Sequence, residues 1–198
     1  GLLIEEEQEE TSEDTGWDSD WGAGGSRKDI SSLAALTQEL RFPNSTSEIT
    51  LLILRFASEI FQRGVLFMVG DNKISGLGQF GLGMDDADQK IRQTVLSYND
   101  SPFLADIIKE GRHYKGLVEK DKGMEAMLEE LGEDWPSEAG IFPLVAEGKV
   151  VALLYADNLP EDGEIGETEG LEIFISQAGL ALEKAILHRR LQEFEKRG

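Results

Sequence analysis

The chain has 198 residues, and 19 Lys and Arg against 39 Asp and Glu leave a net charge of −20. A field of that sign repels phosphate backbones and anionic headgroups over a Debye length of about 8 Å, which argues against nucleic acid and membrane as partners. The complete absence of cysteine excludes disulfides, Cys-ligated zinc, iron–sulfur clusters, thiol catalysis and thioether-tethered cofactors, while 40% apolar residues suffice for a buried core.

No apolar run nears the roughly 18 residues of a membrane span, and the N-terminus is acidic where a signal peptide is basic, so a cytoplasmic protein is expected. Gly1 stands where an initiator methionine is usual, which reads as a piece of a longer protein. Residues 1–28 hold nine acidic side chains and a glycine cluster without helical or strand period, the composition of a disordered acidic linker or tail. Trp17 and Trp21, four apart within it, read as incidental to a solvated linker, with a short motif that docks on a basic groove as the alternative.

Residues 29–44 predict a short linker helix, with Leu33, Leu36 and Leu40 on one side and Pro43 ending it; a domain over 45–198 follows. Ser45 and Glu48 have capping-box spacing, and Ile49, Leu52, Ile53, Phe56, Ala57 and Ile60 then form an apolar stripe. Arg55, Glu59 and Arg63 supply its wet side, and Gly64 is the expected stop. Residues 63–70 read as a buried strand, Asp71-Asn72 as a turn, and residues 73–80 as the returning strand of an antiparallel hairpin.

A helical stretch near residues 85–92 leads to a strand over 93–97. Ser101-Pro102 then starts a helix that buries Phe103, Leu104, Ile107 and Ile108 and stops at Gly111. Residues 113–118 extend briefly, and Met124, Met127, Leu128 and Leu131 mark the next helix. Residues 140–145 and 149–156 form the clearest hairpin, with Pro143 requiring an edge or irregularity. A long closing helix over 168–196 buries Leu171, Phe174, Ile175, Ala178, Leu182 and Ala185. This order predicts an α+β domain with an antiparallel sheet.

At these phrases the chain resembles the GAF family of small-molecule sensory domains. The resemblance spans about residues 46–190: the opening helix and strand to Asn72, Ser101-Pro102-Phe103-Leu104 through Gly111-Arg112-His113, the hairpin ending in Tyr155-Ala156-Asp157, and the final helix from Leu171 to Glu183. It implies a central antiparallel sheet with helices on one face and a ligand pocket on the other. The pocket would be lined by Phe67, Tyr98, Phe103, Tyr114 and Tyr155, with Arg112 as the cation for an anionic ligand. It further implies a non-catalytic sensory module of bacterial signal transduction, or alternatively a ligand-free dimerisation scaffold. Family chemistries that need cysteine, covalent bilin attachment and sulfoxide reduction, are excluded.

Other motifs carry little. Gly76, Gly78 and Gly81 match the dinucleotide glycine pattern, but in a hairpin strand followed by Asp85, Asp86 and Asp88 they suit close backbone packing better. His113 and His188 lack ligand partners at metal spacing and read as rim or surface residues; residues 157–163 miss the calcium-loop pattern at Leu159 and read as a solvated loop. No Gly-x-Ser-x-Gly elbow occurs. No catalytic residue, metal or cofactor is therefore assigned, and no enzyme activity. Ile173, Leu180, Leu187 and Phe194 recur every seven residues, joined by Leu191, and predict a homodimer through the terminal helices that also uses the 49–60 helix.

Overall fold

The computed structural model describes residues 46–132 and 134–196. The expectations for 1–28, for the 29–44 helix and for the Ser45 cap lie outside the described residues. Eleven elements follow: α1 (Thr46–Ser58), β1 (Arg63–Val69), β2 (Lys73–Phe80), α2 (Ala87–Gln93), β3 (Val95–Ser97), α3 (Pro102–Glu110), β4 (Tyr114–Gly116), α4 (Lys122–Leu131), β5 (Ala139–Ala146), β6 (Lys149–Asp157) and α5 (Glu169–Glu195).

The strands form one sheet in the order β3-β2-β1-β6-β5-β4, and every neighbouring pair is antiparallel. Local chemistry sets the boundaries. Ser101 accepts from the Leu104 amide ahead of Pro102, Asp121 accepts from the Met124 amide, and the Ser101 hydroxyl donates to Asp121 at 2.7 Å, so the caps of α3 and α4 are one unit. Gly111 closes α3 at φ 64°.

Alternation along the strands divides the core between two faces. Leu66, Phe142, Leu144, Ala152 and Leu154 meet α1 and α5, through Ile49, Ile53, Phe56, Leu171, Phe174, Ile175 and Leu182. Val65, Phe67, Ile141, Leu153 and Tyr155 meet the shorter α2, α3 and α4 on the other side. The face expected to carry a pocket is thus roofed by three helices.

One expectation shifts and one holds. Helix α1 ends at Ser58, and Gly64 lies within β1, where an added Cβ would stand 2.6 Å from the Phe80 ring. The glycine pattern serves packing: a Cβ at Gly76 would fall 1.9 Å from the Ile91 carbonyl oxygen, so this residue lets α2 sit on the sheet. Pro143 lies where β4, paired only with Ala139–Ile141, no longer flanks β5.

Phe174 is fully buried and meets the Phe56 ring edge-on at 5.2 Å, whereas its neighbour Ile173 is exposed. Phe174→Ala is expected to lower unfolding free energy by about 3–5 kcal/mol in urea titration, and Ile173→Ala by well under 1 kcal/mol at monomeric concentration.

Candidate functional site

The second face holds the residues assigned to a pocket. Phe67 and Tyr155 project from the central strands and are wholly buried; Phe103, from the first turn of α3, meets Tyr114 of β4 edge-on at 4.9 Å. Tyr98 and Tyr114 pack at the border of this cluster with their hydroxyls on main-chain carbonyls, Tyr98 on Gly70 and Asp71, Tyr114 on Leu117. Five of the six expected residues therefore share one cluster. Arg112 is not part of it: its guanidinium is 77% exposed and pairs with Glu110 at 2.6 Å. Ile91, Met124, Met127 and Leu128 pack among the aromatic rings, each at most 1% exposed.

One polar constellation interrupts this interior. Arg63 opens β1 and Asp157 closes β6, directly opposite each other in the ladder. Arg63 Nε donates to Asp157 Oδ1 at 2.7 Å, with side-chain exposures of 7% and 0%. The Tyr155 hydroxyl donates to Asp157 Oδ2 at 2.6 Å, and the Leu159 amide to Oδ1 at 3.0 Å. Arg63 Nη1 reaches the Leu131 carbonyl and Nη2 that of Asp134. Burial, reinforced by the adjacent carboxylate, pushes the Tyr155 phenol well above its ordinary value, so it stays a donor. A cavity of about 280 Å³ adjoins Arg63, lined by Gly81, Gly83, Met84, Leu131, Leu159 and Pro160 among others.

Three assignments change here. Arg63 belongs to the interior, not to the wet side of the preceding helix, because its partner is buried opposite it. The 157–163 loop is not solvated in its first half: Asp157, Asn158 and Leu159 are buried, and Asn158 donates to the Gly163 and Glu164 carbonyls. His113 is half-buried against Phe142, ring centroids 5.7 Å apart, with a buried Nδ1 lacking a partner. The sequence signal for Arg63 and Asp157 was opposite charges at the ends of two apolar runs, legible only once the runs are paired.

At the level of sequence, no family model and no curated protein matches the chain. Solved structures do resemble it. The GAF domain of a phosphoenolpyruvate-protein phosphotransferase from Coxiella burnetii superposes with a TM-score of 0.62 at 17% identity, covering 85% of this chain and 98% of that one. A GAF domain/HD domain protein from Geobacter sulfurreducens gives 0.59 at 13%, covering 78% and 98%. The fold is GAF-like. The chromophore-binding domain of a bacteriophytochrome from R. palustris also matches this GAF-like domain, at 0.60 and 8% identity over 82% of this chain and 63% of that one. Among the described residues, no group of three or more His, Asp or Glu could hold a metal ion, and no helix is long and apolar enough to cross a membrane.

Asp157→Ala strands the buried Arg63 cation and is expected to cost about 3–5 kcal/mol; the double replacement Arg63→Met with Asp157→Leu should cost much less, both read by chemical denaturation. Burial holds the His113 imidazolium below its ordinary value, opposed by the Glu172 carboxylate. The unfolded chain therefore takes up this proton first, so the contribution is whole above about pH 6.5 and is lost as pH falls through the lower folded value. Unfolding free energy should decline on that acid side, and more shallowly in His113→Phe.

Proposed function

We propose that this GAF-like domain is a non-catalytic regulatory module of bacterial signal transduction that works as a homodimer through its terminal helices. The carrying observation is the face of α5 that the fold leaves uncovered. Leu171, Phe174, Ile175, Ala178 and Leu182 are consumed by the core, yet Ile173, Leu180, Leu187, Leu191 and Phe194 remain between 47% and 74% exposed. At 27 residues α5 is about 40 Å long, and its last three turns carry no fully buried residue. Leu51 of α1 is likewise exposed, while α1 packs beside α5.

A seven-residue repeat of apolar side chains suits an identical stripe on a second copy, because a two-fold axis doubles every contact. The resulting bundle of α1 and α5 from two protomers offers neighbouring domains of a longer protein a helical route for changes in state. A cytoplasmic setting fits the acidic composition.

The sensor reading is second. Tyr98, Phe103 and Tyr114 lie at the border of the roofed face, and a small molecule entering there would have to displace part of the packing around Phe67 and Tyr155. Arg112 could serve such a ligand only after leaving Glu110. No thioether-linked chromophore is compatible with a chain devoid of cysteine. Native mass spectrometry of freshly purified protein separates the readings: a retained small molecule favours the sensor, and bare dimer mass favours the scaffold.

Each buried leucine is worth about 1.5–3 kcal/mol. Leu187→Glu combined with Leu191→Glu should convert a dimer into a folded monomer in sedimentation equilibrium. An unmodified protein that is monomeric at tens of micromolar, or a variant that stays dimeric, would refute this reading.

A further inference from the structure

A cleft of about 730 Å³ opens between α1, β2, α2 and the end of α5. Its floor is apolar, from Leu51, Leu54, Leu77 and Ile186, and it is deepened where Gly78 contributes only backbone beside Leu54. Beyond Ser75 no strand among the described residues flanks the outer side of β2, since β3 pairs only with Lys73 to Ser75. The volume lies within the usual range of binding sites, about 300–1,000 Å³.

The walls carry charge of an unusual sign for this molecule. Of the two carboxylates in the lining, Asp88 accepts from Gln79 at 2.8 Å and Glu193 from Arg189 at 3.2 Å. Arg92 and Arg190, also in the lining and exposed, have no partner among the described residues. A chain of net charge −20 thus places two free guanidinium groups around an apolar floor. Such a site selects a segment that is both acidic and aromatic.

The chain itself contains one. Residues 1–28 hold nine acidic and two basic side chains, 2 − 9 = −7, and Trp17 and Trp21 stand among the acids. The first described residues, Thr46 and Ser47, form part of the cleft lip, so the N-terminal segment joins the fold at this site. Between Trp21 and Thr46 lie 24 residues, enough to span up to about 80 Å when extended, so reach does not limit contact.

We propose that the cleft is the docking site for the acidic segment around Trp17 and Trp21 of the same chain. The indoles enter over Leu51, Leu77 and Ile186, and the neighbouring carboxylates of Asp14, Asp18 and Asp20 pair with Arg92 and Arg190. Tethering supplies an effective concentration in the millimolar range, so a contact too weak to hold a free peptide holds this one. On α5 the cleft uses Ile186, Arg189, Arg190 and Glu193, none of them in the exposed leucine stripe. Leu51 of α1 is shared between the cleft and the proposed dimer face, so docking and pairing meet at that residue.

Tryptophan fluorescence of the full chain tests it, with Trp135→Phe so that only Trp17 and Trp21 emit. The docked form should show blue-shifted emission and acrylamide quenching several-fold weaker than in the additional Arg92→Glu, Arg190→Glu variant. About 1 M salt should move the parent toward that variant, because exposed pairs are screened. Should the Trp135 replacement unfold the domain, the difference between the native chain and its Trp17→Phe, Trp21→Phe form gives the same signal, and amide exchange at Leu77 to Gln79 should accelerate in the latter. Fully solvent-exposed emission insensitive to charge reversal overturns the proposal. So does a blue shift that disappears on dilution, which would assign the contact to a second molecule.

Discussion

The buried pair of Arg63 and Asp157 is the constraint on which the other parts of this domain converge. It joins the first residue of β1 to the last of β6, the two strands at the centre of the sheet. From that pair bonds run to the Leu131 carbonyl at the end of α4, to the Leu159 amide in the loop beyond β6 and to the Tyr155 hydroxyl inside the roofed face. A one-residue slip of β6 would reverse the faces of its side chains and leave two charges unmatched in a low-dielectric interior. The surrounding apolar packing tolerates many arrangements of similar volume; this ion pair tolerates one register.

The two faces of the sheet then divide the labour. On one, α1 and α5 use a broad stripe to seal the core, and α5 continues past it with apolar side chains that the core leaves exposed. On the other, three short helices press long side chains into the space between sheet and roof. Ile91, Met124, Met127 and Leu128 occupy the region around Phe67 and Tyr155 that a hollow version of the same architecture would leave for a guest. Packing of this kind resists small molecules because each guest atom must replace a protein contact already made.

Elements with strong local signals were legible in the sequence. The inward face of α5, the two hairpins and the Ser101-Pro102 start of α3 appear where periodicity and capping chemistry place them, since those signals act within a turn or two of chain. The resemblance of the ordered phrases to GAF domains also anticipated the fold. What was not legible depends on partners remote in sequence. Arg63 looked like a wetted helix residue because Asp157 stands 94 positions away. Gly64 looked like a helix stop, although the Phe80 ring decides its place, and His113 looked like a rim residue until Phe142 came to lie against it. Five aromatic residues of the expected site do gather, for hydrophobic burial alone brings them together; Arg112 does not, for Glu110 two residues away offers it a solvated partner.

The central position of β6 bears on how the chain acquires its shape. The hairpin of β1 and β2 is local, but the other edge of β1 waits for a strand some 90 residues downstream, across α2, β3, α3, β4, α4 and β5. At a synthesis rate of about 5–20 residues per second, that edge stays open for roughly 5–20 s after β1 emerges. During this interval Val65, Leu66 and Phe67 form an apolar strand with unpaired main-chain groups, the kind of surface on which nascent chains stick to one another. Ordering of the sheet is accordingly a late, long-range event, and chaperone demand during synthesis should centre on the stretch between the first hairpin and the last.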